Sequence, residues 1–182
     1  GKTTLARAAL GLLPAGAQVT GSIRLHGTQI VDAPPQRLRR LRGLQVGLVA
    51  QDPFEACNPL DRVVQHVAEA WRAHRRSAPR QTIAASLTNL GIVDAATRMT
   101  RYPHQWSGGM LQRATIAAAA AHQPPLIIAD EPTSALDADL ADTTLTMLRQ
   151  TGAAILLVSH DIGVVARHAD RVAVVYAGRI VE

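Results

Sequence analysis

The feature that most constrains the fold is a short apolar run set between prolines and carboxylates. Pro124 and Pro125 precede the residues LIIA at 126–129, and Asp130 and Glu131 follow them directly. A continuous apolar run of this length, bounded by turn residues, is typical of a strand covered on both faces of a sheet. Because open α/β sheets bind ligands at the carboxyl ends of their strands, the two carboxylates are candidate functional residues.

Strand-like and helix-like segments alternate toward both ends of the chain, which predicts a parallel α/β core. The predicted helices are residues 3–13, 35–42, 61–76, 80–90, 108–121, 133–150 and 162–169, and the predicted strands are residues 44–50, 126–129, 153–158 and 172–176, with an antiparallel ribbon over 19–31. Residues 1–51 and 122–182 are expected to form the core. Residues 52–121 are expected to form an inserted helical subdomain with no strand.

The chain opens with GKTT immediately before a predicted helix. In the phosphate-binding motif G-x-x-x-x-G-K-[ST], the lysine reaches the β and γ phosphates, the hydroxyl binds Mg²⁺, and N–H groups at the helix start complete the cradle. Lys2 and Thr3 are placed for those two roles, although the four residues alone are a weak signal. Since no residue precedes Gly1 and no terminating signal follows Glu182, we expect the chain to be truncated at both ends.

The carboxylates after the apolar run suit phosphate chemistry. Asp130 would hold Mg²⁺, and Glu131 would polarise an attacking water as a general base. The alternative is that the sequence Asp-Glu-Pro only caps the next helix.

A second candidate phosphate site is WSGGMLQR at 106–113. Ser107, Gly108 and Gly109 open a predicted helix with side chains too small to screen its N–H groups from a phosphate. The alternative is an ordinary N-cap followed by a glycine turn.

Charge and composition exclude several classes of function. Lys and Arg number 19 against 14 Asp and Glu, a net charge of +5, but no aromatic stacking platform accompanies the basic runs at 37–42 and 72–76. These runs are therefore interpreted as solvated helix faces rather than nucleic-acid contacts.

The single cysteine, Cys57, excludes an internal disulfide. No apolar stretch approaches the roughly 20 residues of a membrane span, and no leader pattern is present, so any membrane role is expected to be peripheral.

Histidines away from the motifs show no carboxylates at metal-ligand spacing, so no metal site is predicted at them. These histidines are His66, His74, His104, His122 and His168.

Taken together, the motifs resemble those of the ATP-binding subunit of an ATP-binding cassette (ABC) transporter. GKTT matches the end of the Walker A loop, Gln51 the Q-loop, WSGGM the signature, LIIADE the Walker B strand, SALD at 134–137 the D-loop, and His160 the switch histidine. QDPFEACNPL and YPHQWSGGMLQR resemble the peptide and nickel importer branch. The resemblance implies an α/β fold: a P-loop NTPase (RecA-like) core with a small antiparallel β ribbon and an inserted all-helical subdomain.

The resemblance also implies an ATPase whose nucleotide lies between two cassettes, with ATP and Mg²⁺ as cofactors. The implied catalytic residues are Glu131, His160 and Gln51; the implied nucleotide-binding residues are Gly1, Lys2, Thr3, Thr4, Ser107, Gly108, Gly109 and Asp137; the implied Mg²⁺ ligands are Thr3, Gln51 and Asp130. Ser107 to Gly109 would serve the ATP of the partner cassette.

The implied assembly is an importer on the cytoplasmic face of the plasma (inner) membrane. Its partners would be a second ABC ATPase subunit, identical or different, two transmembrane permeases and, indirectly, an extracytoplasmic solute-binding protein, with no nucleic acid. The cargo stays open among peptides, nickel and similar small solutes. Residues 54–60 would lie near the permeases, or would be a plain connection; a crosslink from Cys57 would distinguish these.

Two alternatives to the importer remain. One is a soluble ABC-type ATPase that acts on nucleic acid or ribosomes, and the other is an inactive piece. The chain by itself is expected not to hydrolyse ATP appreciably, because the family's upstream glycines, first strand and adenine-stacking aromatic residue are missing from it.

Overall fold

The computed structural model describes residues 1–134 and 136–182. The helices are α1 (Lys2–Ala9), α2 (Pro35–Leu41), α3 (Val63–Arg72), α4 (Arg80–Asn89), α5 (Ala95–Arg98), α6 (Gly108–Ala119), α7 (Ala138–Gln150) and α8 (Ile162–His168), with a 3-10 turn at Pro103–Gln105. The strands are β1 (Arg24–Leu25), β2 (Thr28–Gln29), β3 (Val46–Val49), β4 (Leu126–Asp130), β5 (Ala154–Val158), β6 (Val175–Tyr176) and β7 (Arg179–Ile180).

Three parallel strands form the main sheet in the order β3-β4-β5. Leu126 at the start of β4 pairs with Val46 on one side and with Ala154 on the other. The predicted parallel core is therefore confirmed, and the apolar run that introduces the two carboxylates is its central strand.

Alternate side chains of β4 enter two different apolar clusters. Ile127 and Ala129 are fully buried against the helices on one face of the sheet. Ile128 lies on the other face, where Ala6 and Leu10 of the α1 segment cover it. Because strand side chains alternate between faces, this double covering explains why β4 is apolar at every position before Asp130.

The segment between β3 and β4 contains helices only, from α3 to α6. Its core residues, among them Val67, Leu87 and Leu111, belong to the same apolar cluster as Ile127 and Ala129 of the sheet. One face of the sheet thus continues into the helical segment. The division into a core and a subdomain at residues 51/52 and 121/122 stays a prediction.

Several helix boundaries differ from those predicted, and two of the differences have a clear local cause. The first helix ends at Ala9, not at residue 13, because Gly11 has a left-handed backbone (φ 62°) that stops the helix before Pro14. The helix predicted over 133–150 begins only at Ala138, and the Asp137 carboxylate accepts a hydrogen bond from the Leu140 N–H as its N-cap.

Two strand predictions are wrong in part. The sequence predicts a buried strand over 153–158. The strand lies at an edge of the sheet, and its residue Leu156 is 44% exposed, so it is not buried on both faces. The strand predicted over 172–176 does not join the main sheet. Only Val175–Tyr176 pairs, antiparallel with Arg179–Ile180, in a separate hairpin. The ribbon predicted over 19–31 is confirmed but is limited to the two-residue strands β1 and β2.

We expect the substitution Gly47→Ala in β3 to destabilise the fold. A Cβ at this position would clash with the backbone oxygen of Ala119 and lie 3.1 Å from its carbonyl carbon, so β3 and the end of α6 would have to separate. Overpacking of this kind costs about 1–3 kcal/mol. The measurement is the free energy of unfolding in urea.

Gly163→Ala in α8 is the matched control, because its Cβ would meet only side-chain ends, Asp161 Oδ1 at 3.2 Å and Arg167 Nη1 at 3.5 Å. Equal stability of the two variants would show that β3 and α6 are not in close contact.

Candidate functional site

The carboxyl end of β4 brings Asp130 to the start of α1. The hydroxyl of Thr3 donates a hydrogen bond to Asp130 Oδ1 at 3.2 Å, although 127 positions separate the two residues. Asp130 is only 8% exposed, and this is the only hydrogen bond to its carboxylate among the described residues. The structure thus joins two of the predicted Mg²⁺ ligands, a hydroxyl and a carboxylate.

Glu131 follows immediately and turns away from the strand. Its backbone is left-handed (φ 47°), and its N–H donates to the Val158 carbonyl at the end of β5. The side-chain oxygen Oε2 lies 3.1 Å from Nδ1 of His160 and accepts a hydrogen bond from Nε2 of Gln51 at 3.4 Å. All three predicted catalytic residues therefore meet at one carboxylate oxygen. A non-glycine residue with positive φ is uncommon and typically marks a site where position matters more than backbone preference.

A pocket of about 100 Å³ opens beside this carboxylate. One wall follows β4 and the other follows β5. Its lining residues are Glu131, Thr133, Ser134, Leu136, Ser159, His160 and Asp161. Glu131 and His160 were predicted from the sequence, but Ser159 and Thr133 were not. The available signals were the position of Ser159 directly after a predicted strand and of Thr133 at the start of a predicted helix.

The predicted phosphate-binding residues line a second cavity. Gly1, Lys2 and Thr3 border a space of about 330 Å³, whose other wall is Val175 and the turn at Ala177 and Gly178. Thr4 is exposed one residue further into α1. No sequence signal could place the β6–β7 hairpin here, because its contact with Gly1 spans nearly the whole chain.

The residues of the signature motif lie elsewhere. Ser107 is the N-cap of α6 and accepts a hydrogen bond from the Met110 N–H at 3.3 Å, so the N-cap alternative describes its local geometry correctly. Among the described residues, no atom outside the helix's own backbone lies within 4 Å of a Cβ built at Gly109, so this face of the helix start is open. Within the described residues, no hydrogen bond or ion pair connects 107–109 with Lys2, Thr3, Asp130, Glu131 or His160.

The N-cap of α7 is Asp137 and not the Asp-Glu-Pro sequence at 130–132. The helix that follows is capped by Asp137, so the alternative in which Asp130 and Glu131 only cap it is wrong. Of the predicted D-loop at 134–137, Ala135 lies outside the described residues.

Two residues of the basic runs are not simply solvated. Arg42 donates from Nε to the Leu10 carbonyl at 2.8 Å and from Nη2 to the Gly11 carbonyl, and burial, then the nearby Arg39, lowers the pKa of its guanidinium. The His74 imidazole contacts the Arg42 carbonyl through Nε2 at 2.8 Å. The interpretation of both runs as solvated faces is therefore wrong at these two positions.

One of the histidines away from the motifs has a carboxylate partner in space, since His168 Nε2 lies 2.9 Å from Asp142 Oδ1. The two residues are 26 positions apart, so sequence spacing could not reveal the pair. In the described part of the chain, no cluster of three or more His, Cys, Asp or Glu side chains is arranged to hold a metal, and no helix is long and apolar enough to cross a membrane.

Within the loop 54–60, Cys57 is buried and Leu60 is 83% exposed. Burial, reinforced by the charge of Glu69, raises the pKa of the Cys57 thiol to about 11. Cys57 is therefore a packing residue, and its thiol is unsuited to crosslinking to a permease.

Comparison with known proteins agrees with this geometry. The family model described as ABC transporter matches residues 1–134. The chain therefore belongs to the ABC transporter family.

Two kinds of relative are similar over the whole chain. The oligopeptide transport ATP-binding protein OppD is 43% identical in Mycobacterium tuberculosis and 42% identical in Lactococcus lactis subsp. cremoris, and the dipeptide transport ATP-binding protein DppD of Bacillus subtilis is 39% identical. The chain spans 31% of the mycobacterial protein, 56% of the lactococcal protein and 57% of the B. subtilis protein.

Among solved structures, the ATP-binding cassette MJ0796, a dimer in a post-hydrolysis state bound to ADP and Pi, superposes with a TM-score of 0.84 at 26% identity. The superposition covers all of this chain and 79% of that one. The predicted P-loop NTPase fold is confirmed.

We expect Cys57 to react slowly with Ellman's reagent at pH 8 in the folded protein. With a pKa of about 11, only about one thiol in 10³ is ionised at that pH, and the thiolate is the reactive form. A cysteine introduced as Leu60→Cys in a Cys57→Ala background is the matched control and should react at least about 100-fold faster. Similar rates for the two thiols before unfolding would contradict the burial of Cys57.

Proposed function

We propose that the whole protein binds and hydrolyses ATP to energise an ABC importer. The observation that carries the proposal is the pair of carboxylates at the end of β4. Asp130 contacts the hydroxyl of Thr3, while Glu131 contacts both Gln51 and His160. One carboxylate is thus arranged for a cation and the next for a water molecule.

The residues around Asp130 fit Mg²⁺. Hydroxyl and carboxylate oxygens are ligands that this cation prefers, and a buried carboxylate with a single neutral partner gains from a positive charge. Thr3 and Asp130 would hold the ion, and Gln51 would be its third ligand from the protein. When bound, Mg²⁺ neutralises charge on the phosphate oxygens. Gly1, Lys2, Thr3 and Thr4 bind the phosphates, with the lysine supplying a positive charge and the helix start supplying N–H groups.

Glu131 accepts a proton from the attacking water. The side chain is 17% exposed, so the carboxylate is mostly buried but still reaches solvent. Gln51 and His160 orient it by contacting the same oxygen, and the second ring nitrogen of His160 stays available to a γ-phosphate oxygen. Positioning of this kind supplies most of the catalysis in phosphoryl transfer.

A second cassette completes the site. Ser107, Gly108 and Gly109 lie away from the β4 carboxylates and form an open helix start, which suits a phosphate held by a partner. Asp137, at the exposed start of α7, would lie in the closed interface. The dimeric state of MJ0796 supports this arrangement, and closure would make hydrolysis depend on conformation.

We propose a peptide as the cargo, because similar relatives are named for oligopeptide and dipeptide transport. Two permeases and an extracytoplasmic binding protein would complete the importer, with this subunit peripheral on the cytoplasmic face of the membrane. Uptake of labelled peptides, compared with uptake of Ni²⁺, in cells that lack the protein distinguishes this cargo from nickel.

We expect Glu131→Gln in the whole protein to keep MgATP binding and to lose hydrolysis. The amide preserves the size of the side chain but cannot accept the proton, and losing a general base costs about 10²–10⁴ in kcat. Steady-state phosphate release and equilibrium nucleotide binding are the two measurements.

The matched control is Glu69→Gln, at an exposed glutamate of α3, which should leave both values unchanged. Turnover that survives in the Glu131 variant would remove Glu131 as the base. A wild-type protein that does not bind ATP would contradict the proposed function as a whole.

The exposed loop 54–60 is proposed to face a permease. In a Cys57→Ala background, Leu60→Cys should crosslink to a permease in native membranes that contain the assembled transporter. Val93→Cys is the matched control, because Val93 is also apolar and exposed, at 71%, but follows α4. Equal crosslinking of the two positions, or none from position 60, would leave the loop as a plain connection.

A further inference from the structure

Asp142 joins the two helices that follow the walls of the Glu131 pocket. A single oxygen of its side chain, Oδ1, accepts three hydrogen bonds from the end of α8. They come from Arg167 Nε at 3.3 Å, Arg167 Nη2 at 3.1 Å and His168 Nε2 at 2.9 Å. We call this group of three side chains the α7–α8 clamp. None of them lines the pocket.

The helix α8 has little else to fix its direction. Val164 is its only buried residue, and Ile162 is 83% exposed. A helix held by one buried side chain can pivot about that point, whereas a second contact near one end prevents the rotation. The clamp provides that second contact, at the last two residues of the helix.

The pivot lies midway between the clamp and the switch histidine. Val164 is four positions after His160 and four before His168. At 1.5 Å per helical residue the arm from Val164 to His168 is about 6 Å long, while α8 extends only about 3 Å from Val164 back to Ile162. His160 precedes the helix by two residues and lies 3.1 Å from Glu131, so a rotation of α8 would reach it through Asp161.

The same clamp also fixes the opposite wall. Asp142 is in the second turn of α7, whose cap Asp137 directly follows the pocket residue Leu136. Holding α8 against α7 therefore sets the separation of the two pocket walls.

We propose that Asp142 is a positioning residue for hydrolysis: through α8 it holds His160 at contact distance from Glu131. The inference rests on the proposed function of the pocket and adds to it a residue that does not contact the nucleotide.

The electrostatics of the clamp are consistent with this role. The hydrogen bonds from His168 and then Arg167 hold the pKa of the Asp142 carboxyl below its usual value. The group is therefore ionised at neutral pH, and charge-assisted hydrogen bonds are stronger than neutral ones.

The test is Asp142→Ala in the whole protein. A misplacement of about 1 Å at a reacting group can cost about 100-fold in rate, so we expect kcat to fall at least about tenfold while the Kd for MgATP changes by less than about twofold. Asp142→Asn keeps an oxygen at the Oδ1 position and should recover part of the rate. Asp139→Asn removes an exposed charge from the first turn of the same helix and should leave kcat unchanged.

Arg167→Ala gives a second route if the first variant is poorly folded, since it removes two of the three bonds from an exposed side chain. Its effect on kcat should be smaller and should not add to that of Asp142→Ala, because both act through one contact. Unchanged kcat in both variants, or a fall matched by equally weakened MgATP binding, would overturn the proposal.

A spectroscopic measurement separates this inference from the proposed function. The ¹⁵N signals of the His160 imidazole, assigned with His160→Gln, should shift in Asp142→Ala in the same direction as in Glu131→Gln. If the wild type lacks ATPase activity, the proposed function fails, yet this shift still supports the clamp. If the enzyme is active and the signals do not move, the clamp is wrong and the proposed function stands.

Discussion

The structure depends on the burial of β4 from both sides. Ile127 and Ala129 pack against the helical segment, and Ile128 packs against α1. Once both faces are covered, the strand can end only where its carboxylates find polar partners, because an uncompensated buried charge is costly. The partners come from the elements that cover or flank the strand. Thr3 belongs to α1, and Gln51 and His160 follow β3 and β5.

This arrangement couples the chemistry of the site to the packing of the sheet. In a parallel sheet the three strand ends lie at one edge, so Gln51, Glu131 and His160 need no long loop to meet. The helices that leave this edge also help to position the pocket residues, because each wall of the pocket leads into a capped helix. The caps are Asp137 for α7 and Asp161 for α8. Helix capping and packing of the sheet thus both affect the positions of Glu131 and His160.

Much of the fold could be predicted from the sequence where the signal was local. The apolar run before Asp130 identified β4, the local motifs identified Thr3 and Glu131, and the resemblance to the ABC family identified Gln51 and His160 before any distance was known. Predictions failed where a neighbour in space decided the outcome. Nothing local marks the residues at 172–176 as separate from the sheet, and the pair of Asp142 and His168 crosses 26 positions. The sequence likewise does not distinguish Arg42 from a surface arginine, because its hydrogen bonds go to carbonyls at the end of α1 that are distant in sequence.

The exposed edge of the sheet also determines how the chain behaves in solution. Within the described residues, β5 pairs only with β4, and its apolar residue Leu156 is 44% exposed. An apolar strand with one free row of backbone N–H and C=O groups is a template for pairing with other chains. A net charge of +5 repels copies at long range but does not fill those hydrogen bonds. The two outer strands of the sheet, β3 and β5, are therefore the places where a second polypeptide could add to it.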